Sequence, residues 1–223
     1  MLRSLVCLSL VAVFTTMSFA EDAKVPESIA RWKKDMDKFA AADKKNPVMP
    51  GGVVFVGSSS IRMWDLKKSF PELDAVNRGF GGSRLEDSVY YADQIILPYK
   101  PKTVVVYAGD NDIAAKYTPE QILEDFQEFE AKVHKELPET EILYIAVKPS
   151  LSRWKMIEEV RATNKLIAAE CAKTDHCEFI DIDAPMLGED GKPRKELFKN
   201  DGLHMTDEGY VIWAKELEPH LAN

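Results

Sequence analysis

The sequence predicts an α/β protein, a three-layer α/β/α sandwich with a central, mostly parallel five-stranded sheet. Two observations carry this. Short continuous apolar runs such as Val53-Val54-Phe55-Val56 and Val104-Val105-Val106-Tyr107 suit strands buried on both faces. These runs alternate about five times with amphipathic segments, the pattern of parallel strands covered by helices.

In chain order, Ser28 to Asp43 has helical periodicity, with Ile29, Trp32, Met36 and Phe39 on one face. Asn46-Pro47 and Pro50-Gly51-Gly52 break it before the first strand at Val53. Ala75-Val76-Asn77 is a weaker second strand, and Arg84 to Leu97 a helix ending before Pro98. Thr103 to Ala108 is the strongest strand. Thr118 caps the next helix, with Pro119 at its first position, and it runs to about Leu137. A strand over Glu141 to Val147, a long helix from Ser152 to Lys173 and a fifth strand over Glu178 to Ile182 follow. After a Gly/Pro-containing loop, Thr206 caps a last helix from Asp207 to Leu217. We expect one domain over residues 21–223.

Residues 1–20 read differently. Arg3 gives a basic start, Leu5 to Phe14 is almost wholly apolar, and Ser18-Phe19-Ala20 puts small residues at the −3 and −1 positions of a cleavage site. This is the pattern of a secretory signal peptide, so we expect cleavage near Ala20 and a secreted or periplasmic protein without stable membrane insertion. Cleavage removes Cys7. It leaves Cys171 and Cys177, a pair an exported protein can oxidise. Across 223 residues, 37 acidic side chains oppose 29 Lys and Arg, for a net charge of -8. That balance argues against nucleic acid as a partner, because binding it needs a basic footprint.

Sites on open parallel sheets form beyond the carboxyl ends of the strands. The segments there are Gly57-Ser58-Ser59-Ser60, Gly79-Phe80-Gly81-Gly82, Gly109-Asp110-Asn111-Asp112, Lys148-Pro149-Ser150, and the loop with Asp201 and His204. A serine at a sharp strand-to-helix turn can project its hydroxyl at the sheet tip, or simply cap the helix. A nucleophilic serine needs a base held by a third group. Of four histidines, only His204 has a carboxylate three residues earlier, in Asp201-Gly202-Leu203-His204. Gly82 could offer an unobstructed backbone N–H, and Asn111 its amide, to a developing oxyanion.

Together these blocks resemble the SGNH family of serine esterases, the GDSL-type hydrolases. Val54 to Ile61 resembles the nucleophile block and puts the family's serine at Ser59. Asn77 to Gly82 resembles the glycine block, Gly109-Asp110-Asn111-Asp112 matches Gly-x-Asn-Asp, and Asp201 to His204 matches Asp-x-x-His. The resemblance spans roughly Val53 to Leu217. It implies a flavodoxin-like fold and a catalytic set of Ser59, Asp201 and His204. The implied oxyanion hole comprises the N–H groups of Ser59 and Gly82 with the Asn111 amide. Ser58 stands where the family name has Asp.

The implied activity is hydrolysis of short acyl esters, including acetyl esters of carbohydrates, through an acyl-enzyme and without a metal or organic cofactor. The expected partner is a small-molecule or glycan ester, neutral or weakly charged unless Lys148 and Arg153 create a basic mouth. Trp64, Lys148, Arg153 and Trp154 are candidate substrate contacts. Three alternatives remain open. Acyl transfer to a sugar could use the same triad, and a non-catalytic carbohydrate- or partner-binding domain could use the same fold. A Mg²⁺-dependent phosphotransferase could read Asp110-Asn111-Asp112 as Asp-x-Asp, but that leaves Ser59, Gly82 and His204 unexplained.

Overall fold

A computed structural model describes residues 26–221. The expected signal segment, its expected cleavage position and Cys7 lie outside the described residues. Among these residues, no helix is long and apolar enough to cross a membrane.

Five strands form one all-parallel sheet: β1 (Val53–Gly57), β2 (Ala75–Gly79), β3 (Thr103–Tyr107), β4 (Glu141–Ile145) and β5 (Cys177–Ile180). Their spatial order is β2-β1-β3-β4-β5. The chain leaves β1 toward β2 on one side and returns to β3 on the other. This reversal opens a crevice at the carboxyl ends of β1 and β3, where ligands of such sheets bind.

Side chains alternate along each strand and feed two separate cores. Val54, Val56, Val104, Val106, Ile142 and Tyr144 face one layer. Over them pack α2 (Lys33–Lys45), α5 (Leu85–Ile95), α7 (Pro119–Glu136) and α8 (Ile157–Cys171). Val53, Phe55, Val105, Tyr107, Leu143 and Ile145 face the other. That side is covered by α3 (Ser59–Arg62), α4 (Leu66–Ser69) and α9 (Asp207–Leu221). Trp64 Nε1 donates to Ser69 Oγ at 2.8 Å, and the ring packs among Phe55, Phe70, Tyr210 and Trp213.

Two predicted helices differ in informative ways. The Ser28–Asp43 segment is split at Arg31-Trp32 into α1 (Glu27–Ala30) and α2. The turn lets Trp32 meet Phe80 edge-on, beside the glycine block. The segment from Ser152 does not become regular helix until Ile157, after a 3₁₀ turn at Trp154–Met156. Its first residues run as a loop because Ser152 N–H donates to Gly202 O at 2.9 Å, and Arg153 reaches back to the end of β3. A short helix, α6 (Asp110–Ala114), completes the set. Cys171 at the end of α8 is disulfide-bonded to Cys177 at the start of β5.

Trp213 is fully buried, against Tyr107 of β3 and Met186 of the late loop. Trp213→Ala should cost about 3–5 kcal/mol, read as a lower urea midpoint at unchanged slope.

Candidate functional site

Gly57 ends β1 with φ +133°, and a Cβ there would collide with the backbone of Tyr107 on β3. Only glycine lets the chain pass so close to β3 and turn into α3. Ser58 N–H donates to Tyr107 O at 3.1 Å. Ser58 and Ser60 are buried, whereas Ser59 at the first position of α3 is half-exposed.

His204 arrives from the other end of the chain. Its Nε2 lies 3.1 Å from Ser59 Oγ, and its Nδ1 lies 2.6 Å from Asp201 Oδ2. The other oxygen of Asp201 accepts from the N–H groups of Leu203 and His204, both at 2.9 Å. The hydrogen bond from His204, then those two N–H groups, hold the Asp201 carboxyl well below the usual range. Asp201 is therefore an anion at neutral pH. Spacing singles out His204 as the one histidine with a carboxylate three residues earlier. In the folded chain the other three have one too: His176 and His220 lie 2.8 Å from Glu141 and Glu178 respectively, and His134 lies 3.9 Å from Glu130. Glu141 begins β4, at the opposite end of the sheet from Ser59.

Gly82 follows β2 with φ +82°. Asn111, in α6, bridges the glycine block and the segment after β4. Its Nδ2 donates to Ser83 O at 2.9 Å, and its Oδ1 accepts from Arg153 Nη2 at 2.9 Å. These contacts fix which way the amide faces and leave one N–H of Nδ2 uncommitted. Asp112 braces the same turn, accepting from Leu85 N–H and Gly109 N–H, each at 3.0 Å.

Beneath these groups lies a charged cluster that the sequence did not reveal. Asp110 Oδ2 is 3.0 Å from Lys148 Nζ and 3.1 Å from Arg153 Nη1. Lys148 also donates to Tyr107 OH at 2.9 Å and to Ser60 Oγ at 3.1 Å. Burial pushes the Asp110 carboxyl up, but the two cations outweigh it and hold it below its usual range. Burial lowers the Lys148 ammonium, and Asp110 only partly offsets this.

Three expected substrate contacts change meaning. Trp64 is 3% exposed and belongs to the aromatic core, because its ring is the apolar filling between α4 and α9. Lys148 is 2% exposed and lies below the surface, neutralised by Asp110 rather than bordering a mouth. Arg153 is half-buried and committed to Asp110 and Asn111, so these two residues make no basic mouth. Trp154 is half-exposed, with the Arg161 guanidinium 5.9 Å from its ring centre. The Asp-x-Asp reading also fails on its donor set. Asp110 faces two cations and Asp112 two backbone N–H groups, which leaves neither carboxylate arranged to hold Mg²⁺.

Two tests follow from this electrostatic layout. Asp110→Ala would leave the buried Lys148 and the half-buried Arg153 without their anion and should cost about 3–5 kcal/mol. Lys148→Met keeps the Arg153–Asp110 pair and should cost less, as ranked by denaturant midpoints. Separately, burial raises Asp112 to about 7, and burial followed by Glu86 raises Asp125 to about 6. Between about pH 4 and 6 both hold protons when folded that the unfolded chain, titrating near 3.8, has released. Their stabilisation is thus complete below about pH 4 and is lost as pH rises to about 7. Urea midpoints at pH 4.5 and 8 should show this fall, and Asp125→Asn should reduce it.

No functionally curated protein matches the chain in sequence. Solved structures match its fold. A Streptococcus pneumoniae chain provisionally assigned as a platelet activating factor aligns at 21% identity and TM-score 0.77, covering 86% of this chain and 94% of that one. A GDSL-like lipase from Bacteroides thetaiotaomicron aligns at 21% identity and TM-score 0.67, covering 83% and 96%. A catalytic mutant of an acetylxylan esterase from Geobacillus stearothermophilus aligns at 14% identity and TM-score 0.65, covering 79% and 96%. Residues 60–212 match the GDSL-like Lipase/Acylhydrolase family in sequence, more than half of the chain. The chain therefore belongs to that family of ester-hydrolysing enzymes.

Proposed function

We propose that the protein is an exported serine esterase that removes short acyl groups, acetyl above all, from carbohydrate esters. One observation carries the reading: the unbroken relay from Ser59 Oγ through His204 to Asp201, with spacings of 3.1 and 2.6 Å, at the carboxyl end of the sheet.

In this mechanism Ser59 Oγ attacks the ester carbonyl while His204 Nε2 takes its proton. Asp201 holds the imidazole by Nδ1 and stabilises the imidazolium. The N–H groups of Ser59 and Gly82 and the free N–H of Asn111 Nδ2 receive the oxyanion. Arg153 acts one step removed, holding Asn111 Oδ1 so that the amide nitrogen, not its oxygen, faces the reacting carbonyl. His204 then protonates the leaving alcohol. Water, activated by the same imidazole, releases the acid from the acyl-enzyme.

The acetylxylan esterase among the structural neighbours supports acetylated carbohydrate as the substrate class. The apolar segment before Ser18-Phe19-Ala20 supports export, and the Cys171–Cys177 bond suits an oxidising compartment. Acyl transfer to a sugar in place of water would use the same acyl-enzyme.

A fluorophosphonate probe should label the folded protein at Ser59. Ser59→Ala should abolish labelling and lower kcat on p-nitrophenyl acetate by at least about 10³-fold. Hydrolysis by Ser59→Ala at the wild-type rate would refute the assignment. Asn111→Ala should lower kcat by about 10²–10³-fold.

A further inference from the structure

Among the described residues there are seven arginines. Six have a carboxylate partner: Arg31 with Asp87, Arg78 with Asp43, Arg84 with Glu86, Arg153 with Asp110, Arg161 with Asp183 and Arg194 with Glu196. Arg62 is the exception: no described carboxylate lies within 4.0 Å of it, and its guanidinium makes no side-chain hydrogen bond. In a chain with 37 acidic residues, an arginine left unpaired is the unusual case.

Its position is as informative as its lack of partner. Arg62 ends the short helix that Ser59 begins, one turn further on. The side chain is exposed, yet its head is not loose in solvent. It lies against Gly81, where a Cβ would stand 2.6 Å from Cζ and under 3 Å from both terminal nitrogens. Gly81 thus makes room for the guanidinium immediately beside Gly82, the proposed oxyanion donor. The result is a planar fork of donors beside the glycine block, which no described residue satisfies. Such a fork matches an oxyacid anion.

We propose that Arg62 forms an anion subsite and that the preferred substrate is a short-chain ester of an alcohol bearing a carboxylate or sulfate, such as an acetylated acidic sugar. This rests on the esterase reading above. An acetyl group is too small to carry a second charge, so the anion belongs to the alcohol part. The inference also revises the expectation of a neutral ester. The basic group at the mouth is Arg62, whereas the charges of Lys148 and Arg153 face Asp110.

The test uses a matched pair, methyl 3-O-acetyl-glucuronoside and its C6 methyl ester, which differ only in the carboxylate. At low salt the wild type should favour the anion by about tenfold or more in kcat/KM. Added salt should reduce the ratio. Arg62→Gln should bring the ratio to one or below, since the acidic chain otherwise repels an anion, and Arg62→Lys should lie between. Lys173→Gln, a charge change between α8 and the start of β5 at the opposite end of the sheet, should leave the ratio as it was. A 6-O-sulfated 3-O-acetyl-glucoside tells sulfate from carboxylate as the better anion. A wild-type ratio near one on both anions, or an unchanged ratio in Arg62→Gln, overturns the subsite. Fluorophosphonate labelling at Ser59 with such a ratio refutes the subsite alone. Absence of labelling, with no hydrolysis of any acetyl ester, refutes the esterase reading beneath it.

Discussion

The carboxylate of Asp110 sits where the ends of three strands meet, and most of the site is built upon it. It follows β3 directly, and it draws in Lys148 and Arg153 from the segment after β4. Lys148 extends the contact to Ser60, beside the proposed nucleophile, and Arg153 extends it to Asn111. Two cations share one anion, with Lys148 and Asp110 buried and Arg153 half-buried. Taking them there is expensive, and the geometry is tolerable only because each charge also finds neutral hydrogen-bonding partners. What the cluster supplies is fixed position. A loop between β4 and α8 would otherwise be free to wander, and here it is bound at its base to β3 and at its tip to Gly202.

The two cores explain why this arrangement can be rigid. The α3/α4/α9 face carries an aromatic cluster of Phe55, Trp64, Phe70, Tyr210 and Trp213. It locks the helix that starts at Ser59 against the one that follows His204. Tyr210 OH donates to Ser60 O at 2.8 Å, so the same contact spans the two ends of the chain. The Ser59–His204 distance is therefore set by packing as much as by the hydrogen bond. Trp64 serves this packing, although its place just after the serine block made it look like a substrate platform.

Much of the site was legible because its parts are local. The Asp201–His204 spacing fits inside one turn, where Asp201 can accept from the intervening N–H groups and reach Nδ1. The glycine that ends β1 and the Gly-x-Asn-Asp turn after β3 are likewise short-range features. What could not be read were pairings between distant segments. Lys148 and Asp110 are 38 positions apart, and nothing in either neighbourhood says that one neutralises the other. For the same reason the helix expected from Ser152 began late. Its helical periodicity was real, but the contacts of Ser152 and Arg153 to other loops outweighed it.

The sequence by itself determined the parallel sheet, the order of its elements and the residues that meet at its carboxyl end. Buried apolar runs and helical periodicity are local, and a parallel sheet with reversed strand order has one crevice. Only the tertiary structure decided the charge of that crevice. Seven described arginines look alike in sequence, but six are spent on carboxylates and one is not. Which arginine is left without a carboxylate depends on pairings over long separations, and composition and spacing carry no record of those.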